Sequence, residues 1–106
     1  MRFEQLKKGN PLLFKPDNSN GVIPCVVLEV SGDLAKAEID GGTLLINAET
    51  IEQFQETTLE DLAKVIVCSF LDPWEIEPEM VSEISTRIRT DGIRETYNAI
   101  RNALAA

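Results

Sequence analysis

The chain contains no histidine. That removes both the commonest general base near neutral pH and the commonest imidazole metal ligand. Cysteine is scarce: Cys25 lies in VIPCVV and Cys68 in VIVCSF. Both runs are apolar, so both thiols are expected to be reduced, buried and unpaired, behaving as small hydrophobes. Neither has a basic neighbour in the chain to activate it. No apolar run approaches the ~20 residues of a membrane helix. The opening MRFEQLKKGN lacks the apolar block of a secretory signal. Few cysteines and no such signal make a reducing cytoplasm the expected compartment. Positive charge is in short supply too. Ten Lys and Arg stand against 18 Asp and Glu, for a net charge of −8. That sign repels phosphate backbones and anionic lipid, so the expected partner is neither nucleic acid nor membrane. A basic protein surface suits it better.

The glycines stand singly or as Gly41-Gly42, never in the spacing that cradles a phosphate. Asp17-Asn18-Ser19-Asn20-Gly21 is rejected as a calcium loop. Its glycine comes one place early, and the twelfth position is Leu28 where a Glu is required. No cofactor or metal is therefore expected. Pairs of carboxylates remain, but so acidic a chain brings acids together by chance, and an enzyme built on them would need a buried Asp or Glu.

The 106 residues fit a single domain with a β-rich half over 1–56 and a helical half over 57–106. Pro11 to Lys15 is a short apolar strand, and Val22 to Val30 a longer β-branched one. Pro24 cannot donate to a ladder, which places it at a strand start or an edge. Ser31-Gly32-Asp33 and Asp40-Gly41-Gly42 are hairpin turns. Between them Leu34 to Ile39 alternates, with Ala35, Ala37 and Ile39 on one face and Leu34, Lys36 and Glu38 on the wetter one. Thr43 to Asn47 is the next strand, and Ile51 with Phe54 closes the sheet. This succession resembles an SH3-like barrel in the spacing of strands, the longer Pro16–Asn20 loop and the glycine hairpins. The likeness covers half the chain and implies no activity. With only Phe3, Phe14 and Phe54, this half lacks the aromatic cluster of a proline-motif groove.

Thr58 and Asp61 form an N-cap signature before LEDLAKVIVCSFL. Within it KVIVCSF is β-rich and could form a buried strand; length and capping favour a helix. Asp72-Pro73 ends that element, because the residue before proline resists α geometry. Pro78 begins the next helix, with Met80, Val81, Ile84 and Ile88 as an apolar stripe and Glu83 paired to Arg87. Asp91-Gly92 interrupts, and a last stripe of Ile93, Tyr97, Ile100 and Leu104 follows. The expected fold class is α+β: an SH3-like small β-barrel or curled antiparallel sheet followed by two or three helices.

The connector FLDPWEIEPEM holds the only Trp and no basic residue. Trp is more often core than interface, so Phe70, Trp74 and Ile76 are expected to anchor it inward, with Glu75, Glu77 and Glu79 wet. If the stretch meets a basic protein instead, Trp74, Glu75, Glu77 and Glu79 are the binding residues. The acids of 72–83 could also pair with Arg87, Arg89, Arg94 and Arg101, in the same chain or in a second copy. Edge strands and leftover apolar stripe favour a homodimer. The leading functional expectation is a non-enzymatic acidic interaction module, a regulator or inhibitor that binds another protein. The alternative is a small-molecule binder, or an unusual carboxylate enzyme with its site between sheet and helices.

Overall fold

The computed structural model describes residues 2–17 and 20–105. Five antiparallel strands form one sheet in the order β4-β3-β2-β1-β5: β1 Pro11–Phe14, β2 Ile23–Ser31, β3 Leu34–Ile39, β4 Gly42–Ile46 and β5 Phe54–Glu56. Two-residue turns join β2 to β3 and β3 to β4, closing on Ser31↔Leu34 and Ile39↔Gly42. Gly32 turns at φ 61°, a left-handed value that glycine adopts without strain. Pro24 pairs with Leu13 on β1, while pairing to β3 starts only at Val26. The proline therefore sits near the strand start and needs no donor on its β3 side.

The sheet is not closed: among the described residues no ladder joins β4 to β5. It curls around a core of Leu12, Cys25, Val27, Ala35, Ala37 and Ile46, with Ile51 and Phe54 entering from the far end. The side-chain order of β3 is the one its alternation implies, with Ala35 and Ala37 buried and Leu34 and Lys36 exposed. After β4 the chain crosses to the opposite edge through a turn built on Asn47. Its Oδ1 accepts from the Glu49 and Thr50 amides at 2.8 and 2.9 Å, and Thr50 Oγ1 accepts from the Asn47 amide. A short 3-10 turn then delivers Phe54 onto Phe14, with ring centroids 4.8 Å apart. The Asp17–Gly21 stretch rejected as a calcium loop includes Asn18 and Ser19, which lie outside the described residues.

Two helices follow: α1 Leu59–Cys68 and α2 Pro78–Ala105. Thr58 caps α1, its Oγ1 accepting from the Asp61 amide at 3.0 Å. The KVIVCSF segment is helical as far as Cys68, so α1 ends ahead of the Asp72-Pro73 stop expected for it, its last turn closed by the Phe70 and Leu71 amides on the Val67 carbonyl. The helices pack on the outer face of the sheet, where Leu13 and Val26 join Leu62, Ala63, Ile66, Val81, Ile88, Ile93 and Tyr97 in a second core.

Helix α2 breaks at Gly92, whose φ of 90° and ψ of −179° stop the helical ladder and restart it at Ile93. The break is held from the sheet. Glu38 Oε1, at the end of β3, accepts from the Ile93 amide at 2.5 Å and the Arg94 amide at 3.4 Å. It acts as an N-cap supplied from 55 residues away. Glycine suits this position on two counts: its φ is one that a residue with a Cβ resists, and a Cβ there would lie 2.5 Å from that oxygen and displace the carboxylate. The sequence locates this interruption but gives no sign of the residue that caps it.

Three expectations need correction. Cys68 is exposed, whereas Cys25 is buried. In a helix that buries Leu62, Ala63, Ile66 and Val67, position 68 follows Lys64 by one turn and shares its wet side. Arg87 pairs with Asp91 at 3.4 Å, one turn ahead, instead of with Glu83 behind it. Among the described residues, no ion pair joins the acids of 72–83 to the arginines. Arg101 instead reaches Asp40 in the β3–β4 turn with both guanidinium nitrogens.

Candidate protein-docking site

The connector between α1 and α2 is shaped by its own backbone. Phe70 and Leu71 both donate to the Val67 carbonyl at 2.9 Å, which tightens the end of α1. Asp72, extended ahead of a proline, then opens a 3-10 turn over Pro73–Glu75. The Glu75 amide donates to the Asp72 carbonyl at 2.9 Å, and Glu75 Oε1 accepts from the Asp72 amide at 3.3 Å. Ile76 donates to the Pro73 carbonyl, and Val81 to Glu77 as α2 begins.

Two of the three expected anchors face inward. Phe70 is half-buried with its ring 5.9 Å from that of Tyr97, and Ile76 packs on the helical core. Trp74 does not: it is 81% exposed. Its expected anchoring role is wrong, because Phe70 and Ile76 take the inward positions. The tight turn between them has one side to offer the indole, and that side is solvent. Glu75, Glu77 and Glu79 are exposed as expected.

Beside the connector lies an apolar groove of about 170 Å³, bounded by Val67, Phe70 and Leu71 from the end of α1 and by Met80, Ile84 and Ile100 from α2. Leu104, 53% exposed, continues it along the last turn of α2. The final stripe of α2 explains the opening. Ile93 and Tyr97 are buried, Ile100 is half-buried and Leu104 is largely bare, because the helix runs on beyond what it packs against. The groove floor has no ionisable side chain, while its chain surroundings carry Asp72, Glu75, Glu77, Glu79 and Glu83. From 65 to 86 there is no basic residue. Tyr97 backs the site, and burial with Asp40 nearby pushes its phenol up, against the opposing pull of Ser69 and Arg101. Arg101 lies over the Tyr97 ring, 5.3 Å from its centroid, so its charge is held between ring and Asp40.

A second hollow, about 550 Å³ and broad, separates β1 and β5 from the start of α1. Its lining is mixed: Asn10, Leu13, Gln55, Glu56, Thr58 and Asp61 are among the residues. Glu56 and Asp61 both reach it, but Glu56 and Asp61 are themselves exposed. Among the described residues no group of three or more Cys, Asp or Glu side chains is placed to hold a metal ion. None of their helices is long and apolar enough to cross a membrane. Comparison of the chain with protein-family models, curated proteins and solved structures finds no match.

Proposed function

We propose that this protein is a non-enzymatic interaction module that docks a basic, apolar segment of another protein in the groove between α1 and α2. The observation that carries the reading is Trp74: a bare indole on a turn whose flanking residues Leu71 and Met80 both line an apolar groove. Burying a Trp in a hydrophobic contact is among the largest contributions one residue makes to an interface. In the docked state an apolar side chain of the partner fills the groove, Trp74 folds over it, and Glu75, Glu77 and Glu79 meet lysines or arginines. The acids act mainly on association rate and on the choice of partner, the apolar contacts on residence time. A regulator or inhibitor working in the cytoplasm fits a module with this binding face. The sheet half is read as an SH3-like barrel left open: strand order β4-β3-β2-β1-β5 and the 3-10 turn before β5 support that likeness. The small-molecule or carboxylate-enzyme alternative would rest on the broad hollow beside α1, whose exposed acids give it less support.

Trp74 is the only Trp, so its fluorescence reports this site alone. The test is titration with a synthetic amphipathic peptide of Leu and Lys, against a Leu and Glu peptide of the same spacing. A blue shift with the basic peptide only, weakened in the Glu75→Gln, Glu77→Gln, Glu79→Gln triple variant and less steep in salt, is expected. Trp74→Ala should weaken binding of the same peptide, read by anisotropy of a labelled copy. Its folding stability should change by no more than about 0.5 kcal/mol, as for other exposed positions. An equal response to both peptides, or none to either, refutes the reading.

A further inference from the structure

We infer that β4 is a self-pairing edge through which two copies of this chain join their sheets about a two-fold axis at Leu44. Strand β4 pairs with β3 on one side only, and among the described residues no other backbone hydrogen bond involves 42–46. A two-residue turn closes on a hydrogen-bonded pair, here Ile39↔Gly42, and such pairs alternate along an antiparallel ladder. Leu44 and Ile46 therefore spend their N–H and C=O groups on β3. Thr43 and Leu45 turn theirs outward.

Edge strands are usually protected by charge or by proline. Every other strand here has such a residue: Pro11 in β1, Pro24 and Glu29 in β2, Lys36 and Glu38 in β3, Glu56 in β5. Strand β4, GTLLI, has none, and no charged residue occurs from 41 to 48. The outer face beside it is apolar as well: Leu45 on β4 is 62% and Leu34 on β3 45% exposed, on the part of that face the helices leave bare.

The charge layout selects a second copy as the occupant. A chain of net −8 repels itself over most of its surface. On the outer face beside β4 that repulsion is reduced. Lys36, across from Leu45, pairs with Glu29 at 3.5 Å. Glu38 is committed to the α2 amides and Asp40 to Arg101. An antiparallel two-fold through Leu44 sets Thr43 of each copy opposite Leu45 of the other. Each such pair exchanges both of its backbone hydrogen bonds, using the groups left outward. The exposed Leu45 side chains then cover the neighbouring threonine methyls, and the two sheets become one.

The test is sedimentation of the full chain over a micromolar concentration series, with amide exchange of Thr43 and Leu45 followed by NMR on the same samples. Concentration-dependent dimer formation, with both amides slowing as the dimer forms, is expected. Leu45→Glu, which places an acid beside Lys36 on an exposed position, should leave the fold intact and the protein monomeric. A monomer at every concentration overturns the inference. So does a dimer whose Thr43 and Leu45 amides still exchange at the free rate, or one that survives Leu45→Glu.

Discussion

The two halves of the molecule bury their apolar residues in different ways. In the sheet half, side chains point alternately to the two faces apart from the irregularity at Val27–Glu29, so one curled face can collect Leu12, Cys25, Val27, Ala35, Ala37 and Ile46 into a core that the strands themselves enclose. The helical half cannot enclose itself. Its core borrows Leu13 and Val26 from the back of the sheet, and its broken helix takes its cap from Glu38 on β3. Apolar stripes on helices are wide, and these two helices lack a further layer to cover what faces away from the sheet. What remains uncovered is the groove ending at Leu104, with Trp74 beside it. A self-contained half thus carries a dependent one, and the uncovered apolar groove arises on the dependent side.

The sharpest way to break that comparison is to empty each core in turn. Leu12→Ala in the sheet and Ile88→Ala in the helices should each cost about 2–5 kcal/mol, since both side chains are fully buried. Because the second core includes sheet residues, both variants should still unfold in one transition, seen alike by near-ultraviolet and far-ultraviolet circular dichroism. A separate early transition of the helical half would mean that the two halves are only loosely joined.

Next in size is the link between them at the α2 break. Gly92→Ala forces a left-handed φ on a residue with a Cβ and pushes the Glu38 carboxylate off the Ile93 amide. Strain and lost cap together should cost roughly 2–3 kcal/mol in chemical denaturation. Glu38→Ala, which loses the cap alone, should cost about 1 kcal/mol. Equal losses in the two variants would show that the backbone conformation of Gly92 contributes nothing of its own.

The cysteines give the smallest contrast. Burial pushes the Cys25 thiol up to about 12 from an ordinary value of 9.0. The unfolded chain therefore loses this proton first as pH rises. The contribution is intact below pH 9 and falls by about 1.4 kcal/mol per pH unit above it, until the folded thiol itself ionises. Cys25→Ala should lack this share of the alkaline decline in stability. A thiol reagent at neutral pH should label Cys68 quickly and leave Cys25 untouched until the protein is unfolded. Slow labelling at Cys68 would mean that its face of α1 is covered in solution.

Sequence alone determined the elements whose causes are local. Glycine hairpins, the alternation of 34–39, the Thr58 cap and the interruption at Gly92 each follow from the conformational preferences of adjacent residues. They appear in the structure where the sequence puts them. Periodicity also held the answer for Cys68, had its position one turn beyond Lys64 outweighed its apolar neighbours. Trp74 was different. Whether an indole turns in or out depends on which neighbours reach the core first, and Phe70 and Ile76 were equally eligible by composition. Tertiary structure decided this, as it decided that Glu38 caps a helix 55 residues away and that Arg101 chooses Asp40 over any acid of 72–83. Those choices depend on distances between segments remote in the chain. Local preference fixes torsion angles, but only the packed sheet and helices fix which charges and apolar surfaces meet and which are left facing water.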